Sequence, residues 1–298
     1  MVSLIGGACA TVPPPPPGGS LEALLERPDA RVMWVGAHPD DESLAAPILA
    51  RACKALHRPC LLLVLNHGDG GECLLRQGCF PDLATVRGRE LREVARRYGA
   101  QLEHHRLYNA PLPIESFPPR HEIAQRWLAE EDVGAIVARA IRRFRPTILL
   151  TFDPNRGFTG HPEHQLASRF AMEGAVRAAS ASETMARGSG ARAADPLGPY
   201  RVPNVYQLLS STWIVRLLGR ADPAEPTETF DTHVPCGAPG RTCLDVALRI
   251  ERAHLTQAKD MATIRMLRPQ IGHLYLRRIE VEREHALDPP TERVASND

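Results

Sequence analysis

Arg31-Val-Met-Trp-Val-Gly-Ala-His-Pro-Asp-Asp-Glu42 is the stretch that decides the fold. Its first half, Arg31 to Gly36, is a short continuous apolar run, as expected of a strand buried on both faces of a parallel sheet. Its second half delivers one imidazole and three carboxylates to the strand's carboxyl end, where the next helix should begin. Two runs of the same kind follow, Cys60-Leu-Leu-Leu-Val-Leu65 and Thr147-Ile-Leu-Leu-Thr-Phe152. Helical spacing follows them: Leu44, Ile48, Leu49, Ala52 and Leu56 share one face, as do Leu83, Val86, Leu91, Val94 and Tyr98, and then Ile136, Val137, Ala140, Ile141 and Phe144. Pro47 lacks a backbone donor and should kink or delay the first of these helices. The alternation predicts an α/β fold, a three-layer sandwich with a mainly parallel, Rossmann-like sheet. In such sheets ligands collect at the carboxyl ends of the strands.

Outward from this centre, residues 1–28, with prolines at 13 to 17, read as a flexible Pro-rich leader. Residues 29–285 read as a single α/β domain, with a strand over Val202–Leu209 and an amphipathic helix over Leu244–Met266 forming a C-terminal elaboration; 286–298 read as a polar tail. The stretches 180–200 and 221–241 look like surface loops, and Arg139, Arg142, Arg143 and Arg145 like a solvated helix end. A content of 43 % hydrophobic and 24 % charged residues excludes a wholly disordered chain. Thirty-six Lys+Arg against 35 Asp+Glu give no overall field to draw in nucleic acid. No apolar run approaches the roughly 20 residues of a membrane-spanning helix. The leader lacks a basic n-region, so cytoplasmic residence is expected, with an exported lipoprotein lipidated at Cys9 as the alternative. Cys53/Cys60, Cys73/Cys79 and Cys236/Cys243 are closely spaced pairs that would suit disulfides in an oxidising compartment. With no Cys-x-x-Cys present, the expectation is free thiols in a reducing one.

Asp40, Asp41 and Glu42 repel one another. A helix N-terminus offsets only about 0.3–1 kcal/mol per charge, whereas a divalent cation offsets far more. Alone, this segment also reads as a helix cap by Asp40 or Asp41. A second segment shifts the balance: Asp153-Pro-Asn-Arg-Gly-Phe-Thr-Gly160 runs into His161-Pro-Glu-His164 at the carboxyl end of another predicted parallel strand. Two neutral imidazoles and one carboxylate are a common protein contribution to a catalytic zinc. Iron(II) suits the same donors, and the lack of a redox motif favours zinc. If His38, Asp41 and His164 bind one divalent ion, Asp40 is left as general base. His161 is then placed to stabilise an oxyanion or protonate a leaving amine. Asp153 can orient a ligand histidine from behind.

These segments resemble the PIG-L/LmbE-type metal-dependent N-deacetylases, whose hallmarks are an Ala-His-Pro-Asp-Asp-Glu run and a later His-x-x-His. The resemblance extends through 60–72, Arg87-Gly-Arg-Glu-Leu91, Arg145-Pro146 with the strand leading to Asp153, and Ala253-His254-Leu-Thr-Gln257, covering most of 31–258. It implies His38, Asp41 and His164 as zinc ligands, Asp40 as base, His161 as second catalytic histidine and Arg87 as a substrate contact. It also implies removal of the N-acetyl group from an N-acetylglucosamine-containing small molecule or glycoconjugate. Thr159 stands where some relatives carry a tyrosine, so a tyrosine-assisted step is not implied. The loop from Asn66 to Pro81 is richer in Gly and Cys than the family pattern, which leaves the rest of the substrate open.

Other readings of the same residues are a metal-dependent hydrolase of a non-sugar amide or ester, and a catalytically silent α/β binding module. Dinucleotide binding finds no Gly-x-Gly-x-x-Gly after the first strand. Gly68–Gly71 likewise lacks the Lys-Ser/Thr of a phosphate loop. His254 and Gln257 read as residues that join a helix to the domain by hydrogen bonds. The expected partner is a small-molecule or glycoconjugate substrate, with no nucleic acid and no membrane span; the sequence is silent on oligomeric state.

Overall fold

The three apolar runs form the centre of one sheet in the computed structural model, which describes residues 18–181, 197–210, 224–237, 239–259, 262, 266 and 272–282. The strands are β1 (Val32–Gly36), β2 (Cys60–Asn66), β3 (Gln101–Leu107), β4 (Ile148–Phe152), β5 (Asn204–Leu209), β6 (Glu228–Asp231) and β7 (His273–Ile279). Their spatial order is β3-β2-β1-β4-β5-β7-β6. The first five run parallel, and β7 and β6 close one edge antiparallel. The mainly parallel three-layer sandwich is therefore present, with the C-terminal elaboration supplying the antiparallel edge.

Strand periodicity sorts the core into two layers. Met33, Val35, Leu61, Leu63 and Leu149 face α4 (Arg120–Glu130), α5 (Val133–Phe144) and, beyond the single turn α6 (Gly157–Gly160), α7 (Pro162–Ala179). Val32, Trp34, Leu62, Leu150 and Phe152 face α1 (Leu21–Glu26), α2 (Ala46–Leu49), α3 (Leu83–Tyr98) and α8 (Cys243–Ile250). Because β1, β2 and β4 are covered on both sides, they read as unbroken apolar runs rather than alternating ones. Pro47 lies in the first turn of α2, where its missing N–H costs nothing. A 3-10 turn over Asp41–Leu44 precedes that helix and a π-helical stretch over Ala50–Ala55 follows it.

Several expectations are corrected. The leader ends earlier than residue 28, because Leu21, Leu24 and Leu25 of α1 are buried in the second core layer. The Pro/Gly-rich stretch 221–241 contains β6, whose Phe230 is buried. The helix expected over Leu244–Met266 is interrupted after Ile250 by a 3-10 turn that directs His254, Thr256 and Gln257 into the interior, and helical conformation returns at Ala258, Lys259, Ala262 and Met266. Arg142 is buried, not solvated: it donates to the carbonyls of Arg177, Ala178 and Ser180, satisfying the open end of α7. Cys53–Cys60 and Cys73–Cys79 are disulfides, while Cys236 and Cys243 are free. Such local bridges persist where thiols oxidise, which corrects the free-thiol expectation for those four residues. Among the described residues no helix is long and apolar enough to cross a membrane. Cys9, most of the 180–200 loop and the tail 286–298 lie outside the described residues.

Candidate active site

β1 and β4 are neighbours, with Val32 opposite Ile148 and Trp34 opposite Leu150. Adjacent strands lie about 4.8 Å apart, so the segments leaving their carboxyl ends must meet. His38 and His164, separated by 126 positions, bring Nδ1 and Nε2 to 3.1 Å. Asp41 Oδ1 stands 3.3 Å from His38 Nδ1 and 3.0 Å from His164 Nε2. These three atoms form a nearly equilateral triangle.

Hydrogen bonds behind each donor fix which atom faces the centre. Asp41 Oδ2 accepts the backbone N–H groups of Ala37 (2.7 Å) and His38 (2.9 Å), leaving Oδ1 free to coordinate. His38 Nε2 lies 2.5 Å from Glu163 Oε2, which assigns the proton to Nε2 and a lone pair to Nδ1. His164 Nδ1 lies 2.9 Å from the Gly157 carbonyl, which places the ring proton there and frees Nε2. Gly157 has φ +62°, and a Cβ there would meet His164 Cβ at 2.8 Å, so the turn that presents this carbonyl requires glycine.

The triangle tests well against a divalent ion. Donors held at about 2.0–2.1 Å around a tetrahedral zinc stand about 3.3 Å apart, close to the three separations found. Charge agrees with spacing. Burial opposes a proton on His38, yet Asp41 and Glu163 hold that imidazole protonated up to about 10. Asp41 is pushed well below the usual carboxylate range by His164 and His38, against its burial. The cluster therefore favours positive charge, which a divalent ion would supply in place of the His38 proton. Nitrogens of His38, His161 and His164 also lie within 4.8 Å of one another, so His161 borders the same centre.

Asp40, half-buried, lines a cavity of about 430 Å³ together with His38, Asp41, His161 and His164. Its backbone has φ +114°, a strained conformation for a residue with a side chain. Burial and the neighbouring Asp41 charge push its carboxyl up to about 6, the range that suits a general base. His161 caps α7, with Nδ1 accepting the Glu163 N–H at 3.2 Å, so its proton sits on Nε2. Burial, followed by His38 and His164, lowers its pKa to about 2. A neutral imidazole with one donor toward the cavity is suited to an oxyanion and unsuited to act as a standing acid.

Arg87 lines the cavity but is already engaged. Nη1 donates to the Gly68 carbonyl at 2.8 Å. With the Gln257 amide turned so that its oxygen faces the guanidinium, that oxygen accepts from Nε and Nη2 at 2.6 Å. Asp153 departs from its expected role: its Oδ1 accepts the N–H groups of Asn155 (2.9 Å) and Arg156 (2.8 Å) and makes no hydrogen bond to a histidine among the described residues. It shapes the turn before Gly157 rather than contacting a ligand.

Two participants escaped the sequence reading. Glu163, fully buried, accepts from His38, Asn66 (3.1 Å), Asn109 (2.7 Å) and the Ala110 N–H (2.6 Å). Its only signal was its place between Pro162 and His164. The other is Glu42, whose Oε2 accepts the Asp40 N–H at 3.1 Å while Oε1 lies 2.6 Å from His254 Nε2. His254 also approaches Glu251 at 3.5 Å, and Tyr98 donates to Glu251 at 2.6 Å. Glu42, Glu251 and His254 form a second group with metal-ligand residue types. A proton fills it: burial disfavours the imidazolium, but Glu42 and Glu251 raise His254 to about 9. The expected hydrogen-bonding role of His254 and Gln257 thus extends to the backbone that carries Asp40.

The PIG-L family model, described as GlcNAc-PI de-N-acetylase, matches residues 33–175. Among similar proteins, one from Kineococcus radiotolerans is 29 % identical over 79 % of this chain and 71 % of its own length. One from Streptomyces griseus is 31 % identical over 78 % and 70 %. Both are named 1D-myo-inositol 2-acetamido-2-deoxy-alpha-D-glucopyranoside deacetylase. Among solved structures, the N,N'-diacetylchitobiose deacetylase of Pyrococcus horikoshii superposes with a TM-score of 0.55 at 16 % identity, covering 89 % of this chain and 92 % of that one. At that identity the likeness speaks for the fold.

Proposed function

The chain belongs to the PIG-L family, and from that premise we propose that it is a zinc-dependent hydrolase that removes the N-acetyl group from an N-acetylglucosamine-containing small molecule or glycoconjugate. The observation that carries the reading is the triangle of His38 Nδ1, Asp41 Oδ1 and His164 Nε2 with a fourth group, Asp40, beside it and uncommitted to it. Those three donors would hold the ion, which when bound polarises the acetamide carbonyl and makes water more acidic. Asp40 takes a proton from the attacking water as oxygen bonds to the carbonyl carbon. His161 Nε2–H donates to the oxyanion that develops. When the C–N bond breaks, the proton held by Asp40 passes to the departing nitrogen, so water and amide become acetate and amine. Arg87, fixed by Gly68 and Gln257, presents its remaining N–H groups to the sugar.

Acetate release from a panel of N-acetylglucosaminides, measured with and without chelator and paired with elemental analysis, tests this reading. Chelator-sensitive release with about one zinc per chain is expected. Release from simple acylated amines alone would move the activity to non-sugar amides.

A further inference from the structure

The cavity contains few polar groups still able to read a substrate. Asn109 Oδ1 accepts from Gly70 at 2.6 Å and its Nδ2 donates to Glu163, so both ends of that amide are committed. Thr159 Oγ1 is 3.0 Å from His164 Nδ1 and accepts from the His161 N–H at 3.4 Å. His38, Asp41 and His164 belong to the ion, and Asp40 and His161 to the reaction. The Ser43 hydroxyl and part of the Arg87 guanidinium are left. These suffice for the hydroxyls of one sugar ring and leave little to recognise a second ring rich in hydroxyls.

The remaining wall is apolar and continues out of the cavity. Leu44, Leu112 and Phe117 line it, and Ile114, on the 3-10 turn between the last two, is 64 % exposed. The segment that carries them is tied to the loop behind Gly70 through the Leu112 N–H to Gly70 carbonyl bond at 2.8 Å. The Cys73–Cys79 disulfide closes that loop, where Leu74 and Phe80 flank the bridge and are exposed. Leu74, Phe80, Leu112 and Ile114 are four of the eight exposed large apolar side chains among the described residues. Single exposed leucines need no explanation, but a concentration on two cross-tied segments beside a cavity marks a binding surface.

We propose that the lip formed by Leu112 and Ile114 seats an apolar aglycone, an alkyl or aryl group, on an N-acetylglucosaminide whose sugar occupies the cavity. This rests on the deacetylase reading. The test compares methyl, octyl and myo-inositol N-acetylglucosaminides, with the octyl compound kept below its micelle concentration. Affinities are measured by calorimetry on the zinc-loaded Asp40→Asn protein, and kcat/KM on the wild type. The octyl compound is expected to bind about tenfold tighter than the methyl one, as for burial of two methylene groups, and the myo-inositol compound no tighter than the methyl. Ile114→Asp, on an exposed position, should remove most of the octyl advantage and leave kcat/KM for the methyl glycoside unchanged; Leu112→Asp should also lower octyl affinity. Tighter binding of the myo-inositol compound than of the octyl one, or an octyl affinity indifferent to both variants, overturns the proposal. Failure to release acetate from any of the three would overturn the deacetylase reading instead, and the calorimetry would still judge the lip.

Discussion

Glu163→Gln separates a group that tunes the metal from one that merely fills space. Glu163 Oε2 faces three donors, on His38, Asn66 and Asn109, and Oε1 faces one, the Ala110 N–H. A glutamine must therefore keep its oxygen toward the three and turn its NH2 against Ala110. That leaves one buried backbone donor unpaired, which costs about 1–3 kcal/mol of stability. The bond to His38 Nε2 survives but loses its charge, about half its strength, so Nδ1 becomes a poorer donor. Loss of such an outer partner usually weakens metal binding by about 10–100-fold, or about 1.4–2.7 kcal/mol. Zinc affinity measured by competition with a chromophoric chelator, beside a urea melt of each protein, reads both quantities. An affinity within twofold of wild type, in a variant destabilised as expected, would refute the argument that Glu163 acts through His38.

Asp40→Asn should retain the metal and a normal melt while kcat falls by about 10²–10⁴-fold; wild-type turnover would remove Asp40 as base. His164→Ala should lose zinc on dialysis, seen by elemental analysis, and a protein still carrying one ion per chain would displace that ligand assignment. Stability should decline as pH rises. The folded chain keeps Glu251 protonated up to about 8, against its ordinary 4.5, because burial and Glu42 outweigh His254. It keeps His254 protonated up to about 9 against 6.5, so folding binds protons across both intervals and the stabilisation is lost through them. Urea midpoints from pH 6 to 10 measure this, and His254→Gln should flatten the upper part; a midpoint that climbs from 7 to 9 contradicts it. Replacing Cys73 and Cys79 together by serine should cost about 2 kcal/mol by loop-closure entropy and raise KM more than it lowers kcat. Equal KM in a destabilised variant would show that the loop does not serve the cavity.

The central strands were legible because burial on both faces leaves no polar positions, so β1, β2 and β4 announce themselves in composition alone. β3 did not, because Gln-Leu-Glu-His-His-Arg-Leu is an edge strand, paired among the described residues with β2 alone and half exposed. β6 and β7 pair antiparallel at the opposite edge, where one strand of four residues sits in a segment dominated by turn formers. The helix expected over Leu244–Met266 is interrupted beyond Ile250 for a related reason. His254, Thr256 and Gln257 each find a buried partner elsewhere, on Glu42, Glu90 and Arg87, and those bonds outweigh helix until Ala258, where helical conformation returns.

The candidate site residues divide in the same way. His38, Asp40, Asp41, His161 and His164 were visible because the groups are unusual beside buried strands and lie within two short segments, and the adjacency of β1 and β4 brings those segments together. Glu163 was hidden inside one of them because its role depends on Asn66, Asn109 and Ala110, which lie 97, 54 and 53 positions away. The Glu42–His254 pair lies 212 positions apart and was hidden for the same reason. Its consequence falls on Asp40: a residue at φ +114° relaxes unless its surroundings fix it, and the Glu42 carboxylate on its N–H is such a restraint. Asp40's direction toward the cavity is thus set by contacts from the far end of the chain, which local spacing in Ala-His-Pro-Asp-Asp-Glu does not reveal.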